Sequence, residues 1–168
     1  QIAEIEKKLD FTLDEKIRII VFKDLSDLKE TNIGLITDVN YNIGGVTHII
    51  DNKMFIYFNG NHEDFNQQIR RGISQLLLDQ MINGTSIGSS MKNSYLLDFP
   101  DWYKNGIISF LADNWNTEID FKVRDGILSE KYLRVDLLSE TEQTIVGHSI
   151  WKYIHDVYGD DMVSQILY

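Results

Sequence analysis

Residues 46–82 read VTHIIDNKMFIYFNGNHEDFNQQIRRGISQLLLDQMI. Two β-branched and apolar runs, residues 46–50 and 54–58, flank Asp51-Asn52-Lys53, which predicts a hairpin. From His62 the apolar period changes to that of a helix. Phe65, Ile69, Ile73, Leu76 and Leu77 make one stripe that runs on to Ile82. Asn61 with Asp64 resembles a helix cap, and Asn83-Gly84 is a stop signal. A hairpin passing directly into a long amphipathic helix is the unit around which the rest is read.

Upstream, residues 16–22 (KIRIIVF) form a strand candidate and residues 25–30 a short helix. The first ten residues carry Ile2, Ala3, Ile5 and Leu9 at helical spacing, whereas residues 31–45 are loop-like, with Gly44-Gly45 as a break. Downstream, residues 84–98 are a polar loop, and Pro100 suits the start of a second helix that buries Tyr103, Ile107, Phe110 and Leu111. A third helix is expected over residues 118–127. Ser139-x-x-Glu142 is a capping box opening a fourth, with Val146, Ile150, Tyr153, Ile154 and Val157 inward and Gly159 as its stop. A fifth begins at Asp160. Strands first and helices after them predict an α+β class with a small, mostly antiparallel sheet.

The 168 residues suit one domain, 1–168, with no linker or repeat. A chain that opens on Gln1 and closes at Tyr168 in the middle of a helical pattern reads as a fragment of a longer multidomain protein. Lys and Arg number 16 against 26 Asp and Glu, a net charge of −10. That balance opposes binding to nucleic acid, which needs a dense positive surface. No apolar run is long enough for a membrane span. Cys is absent and His numbers four, at 48, 62, 148 and 155, so thiolate chemistry and Cys-rich metal sites are excluded.

The remaining chemistry is tested residue by residue. His148 and His155 share a helix face but lie roughly 10 Å apart along its axis, too far to share one zinc ion. There is no His-x-x-x-His pair. Gly147-His148-Ser149 lies within a helix pattern rather than on a nucleophile elbow. Asp113-Asn114-Trp115-Asn116 lacks an oxygen ligand at its third position, which argues against a calcium loop. Asn83-Gly84-Thr85 matches a glycosylation sequon by three residues only. Carboxylates such as Asp79, Asp101, Glu118 and Asp120 are plentiful, but no spacing selects a hydrolytic pair. Trp102 lies off the stripe of its helix and is therefore a candidate to face a cleft or a partner.

The stretch Phe99-Pro100-Asp101-Trp102-Tyr103-Lys104-Asn105-Gly106, followed by Trp115-Asn116-Thr117-Glu118-Ile119-Asp120 and Arg124-Asp125, resembles a known pattern. It is similar to Leu-Pro-x-Trp-Phe-x-Glu-Gly, Trp-Asp-Thr-Glu-Ala-Asp and Arg-Asp of the gluzincin, or peptidase MA-like, metallopeptidase domain. The form it most resembles opens exported Bacteroidetes proteins that continue into a Tol-type β-propeller. The resemblance extends over about residues 15–168 and implies a zincin-like fold. It also implies an exported, periplasmic or cell-surface location and a neighbouring β-propeller.

Active members hold zinc with His-Glu-x-x-His on the long helix and a Glu before the Gly of the next one. Placed on that pattern, Arg71 and Gln75 stand at the two His positions, Gly72 at the general base and Asn105 at the third ligand. The resemblance thus implies an inactive member without zinc or another cofactor. Arg71, Gln75 and Asn105 are expected to converge and plug the vacated site, the guanidinium pairing with a carboxylate such as Glu118 or Asp79. A second possibility is that Arg71 anchors a ligand carboxylate there. A protein or peptide partner is expected at the strand opening at Met54 (residues 54–58), read as a sheet edge, with Phe55, Tyr57 and Trp102 as further contacts. The competing reading is an active hydrolase, either an unorthodox zinc peptidase or a carboxylate-based enzyme.

Overall fold

The structure is a computed structural model that describes residues 2–13, 16–31, 41–42, 45–46, 48–50, 53–83 and 99–167. Helix α1 (Ile2–Leu9) leads to strand β1 (Arg18–Phe22) and the short helix α2 (Leu25–Lys29). Strands β2 (Tyr41–Asn42), β3 (Gly45–Val46), β4 (His48–Ile50) and β5 (Lys53–Tyr57) follow. The rest is helical: α3 (His62–Asn83), α4 (Asp101–Ala112), α5 (Thr117–Leu128), α6 (Glu140–Tyr158) and α7 (Asp160–Leu167). Two 3-10 turns, Lys131–Leu133 and Val135–Leu137, join α5 to α6. The turn residues 51–52, the loop 84–98, most of 31–45 and the sequon's Gly84 and Thr85 lie outside the described residues.

The expected class is corrected. The chain is predominantly helical, not α+β with a small, mostly antiparallel sheet. Its longest ladder is parallel: all five residues of β1 pair with β5, from Arg18 opposite Lys53 to Phe22 opposite Tyr57. Only three antiparallel pairs join β4 to β5, and β2 with β3 forms a separate two-stranded ribbon. The order β1-β5-β4 makes β5 the central strand. A parallel pair needs a crossover rather than a tight turn, and the stretch from Phe22 to Lys53, which contains α2, is long enough to supply it. Burial agrees with this position, since Met54, Phe55 and Ile56 are consecutive and all buried, as in a strand covered on both faces.

The helices begin where local chemistry tells them to. Asp24 Oδ1 accepts the Asp27 N–H at 3.0 Å, and Asn116 Oδ1 the Ile119 N–H at 2.9 Å. Pro100 caps α4, where its missing N–H costs nothing. At the start of α6 both halves of the Ser139–Glu142 capping box are formed. On α6 Val146 is buried as expected, but Thr144, Gly147, His148 and Trp151 share the inward side with it, while Tyr153 and Val157 are exposed, against expectation. The inner face of the helix is set by its crossing with α4, which selects a polar and a small residue that hydropathy alone passes over.

Among the described glycines, those at that crossing approach neighbouring backbone most closely. A Cβ on Gly106 would lie 2.5 Å from the Gly147 backbone, and one on Gly147 would lie 1.8 Å from the Trp102 carbonyl oxygen. The two helices touch main chain to main chain. Around them Ile5, Leu9, Ile73, Leu77, Leu78, Ile107, Phe110, Leu111, Trp151 and Val163 form the main core. Trp151 stacks edge-on against Tyr103 and donates its Nε1–H to the Tyr103 carbonyl at 3.3 Å. Lys8 of α1 donates to the Phe110 carbonyl at 3.2 Å, placing a cation at the carboxyl end of α4. On the opposite side of the sheet Leu28, Phe55, Phe22, Leu25 and Tyr57 make a smaller cluster under α2.

Candidate functional site

Arg71 projects from the middle of α3 toward the carboxyl end of α4. Its Nε lies 3.2 and 3.3 Å from the two oxygens of Asp113, and its Nη2 also donates to Asp113 Oδ2. The pair is sealed, with side-chain exposures of 8% and 10%. Gln67, one turn before Arg71, donates to Asp113 Oδ1 at 3.0 Å, and Ser109 donates to Oδ2 at 2.8 Å. The carboxylate thus accepts from three side chains on two helices. Ser109 Oγ lies a further 2.9 Å from His148 Nδ1 on α6. One polar chain, Arg71–Asp113–Ser109–His148, therefore links α3, α4 and α6.

The charges follow from these surroundings. Burial pushes the Asp113 carboxyl up, but the Arg71 guanidinium and the Gln67 and Ser109 donors outweigh it and hold it below the usual carboxylate range. Burial pushes His148 down to about 4, with Asp113 opposing and Lys8, Arg71 and Lys152 reinforcing the shift. The imidazole is therefore neutral near pH 7. Asp113 is ionised and can only accept, so the Ser109 hydroxyl donates to it and His148 Nδ1–H donates to Ser109 Oγ. The rings of Phe110 and Trp115 enclose His148 at centroid distances of 6.1 and 5.3 Å.

Asp, Ser and His in contact invite comparison with a hydrolytic triad, but the order is wrong. In a triad the carboxylate orients the imidazole and the imidazole takes the serine proton. Here the serine lies between the other two, is buried, and directs its O–H at the carboxylate rather than at the imidazole. The arrangement positions helices; it does not prepare a nucleophile.

The positions drawn from the resemblance are distributed as follows. Arg71 is paired with Asp113, not with Glu118 or Asp79; Glu118 instead pairs with Lys122 on the surface of α5. Gly72 is buried on α3, while Gln75 and Asn105 are half-buried. All the side-chain hydrogen bonds of Arg71 run to Asp113 and none to Gln75 or Asn105. Trp102 is half-buried and packs edge-on against Tyr103 at 5.8 Å. Phe55 is buried in the cluster under α2 and Tyr57 packs against it, so neither stands ready for a partner. Residues 54–58 do not form a sheet edge, because β5 is flanked by β1 and β4. A local reading sees two strands in a hairpin and leaves the second one outermost; the crossover that returns β5 alongside β1 is a long-range choice.

A spent guanidinium, a glycine and two amides do not fit a zinc ion. Among the described residues no group of three or more His, Asp or Glu is placed to hold a metal ion. Compared with known proteins, the chain matches no family model, no curated protein and no solved structure.

The residues that complete the polar chain, namely Gln67, Ser109, Asp113 and His148, were not singled out for this role from sequence. A signal existed. Gln67–Arg71 and Ser109–Asp113 are both i,i+4 pairs lying beside the apolar stripes of their helices. An open apolar hollow among the described residues lies elsewhere, against β1. It has a volume of about 360 Å³ and is walled by Ile2, Leu13, Ile17, Ile19 and Ile73, with Glu6 and Lys16 beside them.

Proposed function

We propose that this chain is a non-catalytic, peptidase-derived domain that serves as a protein-interaction or structural module of an exported cell-envelope protein. The observation carrying this reading is the sealed Arg71–Asp113 pair. At the position where the resembled family keeps its first zinc ligand, the chain has a cation, and that cation is consumed by an internal carboxylate that other side chains saturate. Asp113 takes the Nε/Nη2 edge of the guanidinium and the side chain is only 8% exposed, which leaves a ligand carboxylate little access, so the anchoring role for Arg71 is the weaker alternative. The exported setting and the following β-propeller rest on the resemblance alone.

A second reading, a domain that braces a neighbour, is favoured by the exposed apolar side chains on and after α5. Phe121, Leu128, Leu133 and Leu137 all face solvent, Leu128 with 85% of its surface free. Apolar exposure of this kind marks contact surfaces.

Two measurements on protein purified without chelator test the non-catalytic reading. Elemental analysis is expected to find zinc far below one ion per chain, and a mixed peptide library is expected to stay intact after zinc is added. Stoichiometric zinc, or cleavage abolished by Arg71→Ala, overturns it.

A further inference from the structure

We propose that the free edge of β1 is a docking site for one extended peptide strand that carries carboxylates beside an apolar anchor. This names a partner class for the interaction module proposed above and rests on that reading.

Strand β1 ends the sheet, and among the described residues no strand pairs with its outer side. Half of its backbone donors and acceptors point away from β5 and are open to an added strand. Its sequence is unusual for such an edge. Ile19, Ile20 and Val21 are 41%, 37% and 52% exposed, so apolar surface is open on both faces. The parallel register places Ile19 and Val21 beside Met54 and Ile56, which are fully buried one strand further in. Beside β1, between its Ile19 and the Ile2 and Ile73 side chains of α1 and α3, the packing is incomplete. The remaining space is the hollow of about 360 Å³ bounded by Ile19, Ile17, Ile2, Leu13 and Ile73. Ile73 is itself buried and Ile2 half-open. An added strand would set its backbone against β1 and one apolar side chain in this hollow: the edge supplies affinity and the hollow selects the residue.

Charge indicates the chemistry of the occupant. Arg18 opens the strand and Lys16 and Lys23 flank it; all three are exposed, and none forms an ion pair among the described residues. Acids lie beside them, Glu6 at the hollow and Asp24 after Lys23, but each already accepts from a backbone N–H, that of Leu13 and of Asp27, so the three cations are left unpaired on a chain of net charge −10. A second copy would bring the same −10 toward itself, whereas a strand with Asp or Glu beside its anchor meets Lys16 and Arg18.

The test reads amide hydrogen exchange at residues 18–21 in the purified chain. The probe is a pool of acetylated, amidated peptides about nine residues long that alternate Val, Ile or Leu with Asp, Glu or Ser. At about 1 mM, the pool is expected to slow exchange at these residues roughly tenfold, and a pool with Lys in place of Asp and Glu to do so much less. Ile19→Lys and, as a second variant further from the hollow, Val21→Lys are expected to abolish the protection with unchanged thermal unfolding. Lys16→Glu is expected to weaken it.

No protection at residues 18–21, or equal protection by the Lys pool, overturns the proposal. So does protection in the free chain: growing with protein concentration, it assigns the edge to a second copy; independent of concentration, it assigns it to the chain itself. These outcomes leave the non-catalytic reading untouched, just as zinc retention would sink that reading without touching the edge.

Discussion

At the scale of single residues, the buried Arg71–Asp113 pair sets two opposing energies against each other. Two charges removed from water lose solvation that their mutual attraction only repays when every lone pair and proton is satisfied. Here Gln67 and Ser109 complete the carboxylate. The pair is therefore a device for position more than for stability, and its danger lies in being halved. Asp113→Ala leaves a guanidinium buried without its counter-ion and is expected to lower the unfolding free energy by about 3–5 kcal/mol, measured by urea titration. The double change Arg71→Met with Asp113→Leu removes both charges and is expected to recover most of that loss. A double variant as damaged as the single would show that the pair is irreplaceable. Only part of this was legible in sequence. Arg71 stood out as a cation where the resembled family keeps a ligand, but its partner is 42 residues further on, at the end of another helix, and no local pattern chooses Asp113 over Asp79 or Glu118. What was visible was the i,i+4 companionship of Gln67 with Arg71 and of Ser109 with Asp113.

At the scale of elements, local signals proved the most readable. The capping box at Ser139, the Pro100 start and the stripe on α3 are each decided within a few residues, so they could be placed from the chain alone. Ser139→Ala is expected to cost about 1 kcal/mol, read as a lower urea midpoint with an unchanged slope. The α4–α6 crossing and the strand order are another matter. They depend on residues far apart in sequence, and Gly106 and Gly147 carry no hydropathy with which to announce themselves. Their contact is nonetheless exacting, because the atoms a new Cβ would meet are backbone and cannot turn aside. Gly147→Ala is expected to destabilise the chain by about 3 kcal/mol or to force the two helices apart, whereas Ser149→Ala on the same helix is expected to change little. Equal melting temperatures for the two variants would refute the close approach. The sheet shows the same division. Strands β1 and β5 were legible as strands, but which one lies in the middle was decided by a crossover beyond local reach.

At the scale of the whole molecule, the polar chain predicts how stability depends on pH. The unfolded chain binds a proton at His148 near pH 6.5, the folded one only near 4. Between these values the unfolded state holds more protons, so acidification favours unfolding. The stability contributed by the neutral imidazole is complete above pH 6.5 and falls by about 3 kcal/mol by pH 4. Asp113 acts lower: its folded-state value is depressed, so its contribution is present above pH 3.8 and is lost as the pH drops through that depressed value. His148→Gln is expected to flatten the first decline and leave the second, which unfolding curves at a series of pH values would show directly. The glycine crossing has a dynamic consequence as well. Two helices that meet main chain to main chain have no side chains whose rotamer changes could absorb a small separation. Slight parting would forfeit contact without admitting water, so the pair opens as a unit or stays shut. Amides around Gly106 and Gly147 are thus expected to exchange only through global unfolding, the slowest cooperative unit of the molecule, while β1 opens on its own and far sooner.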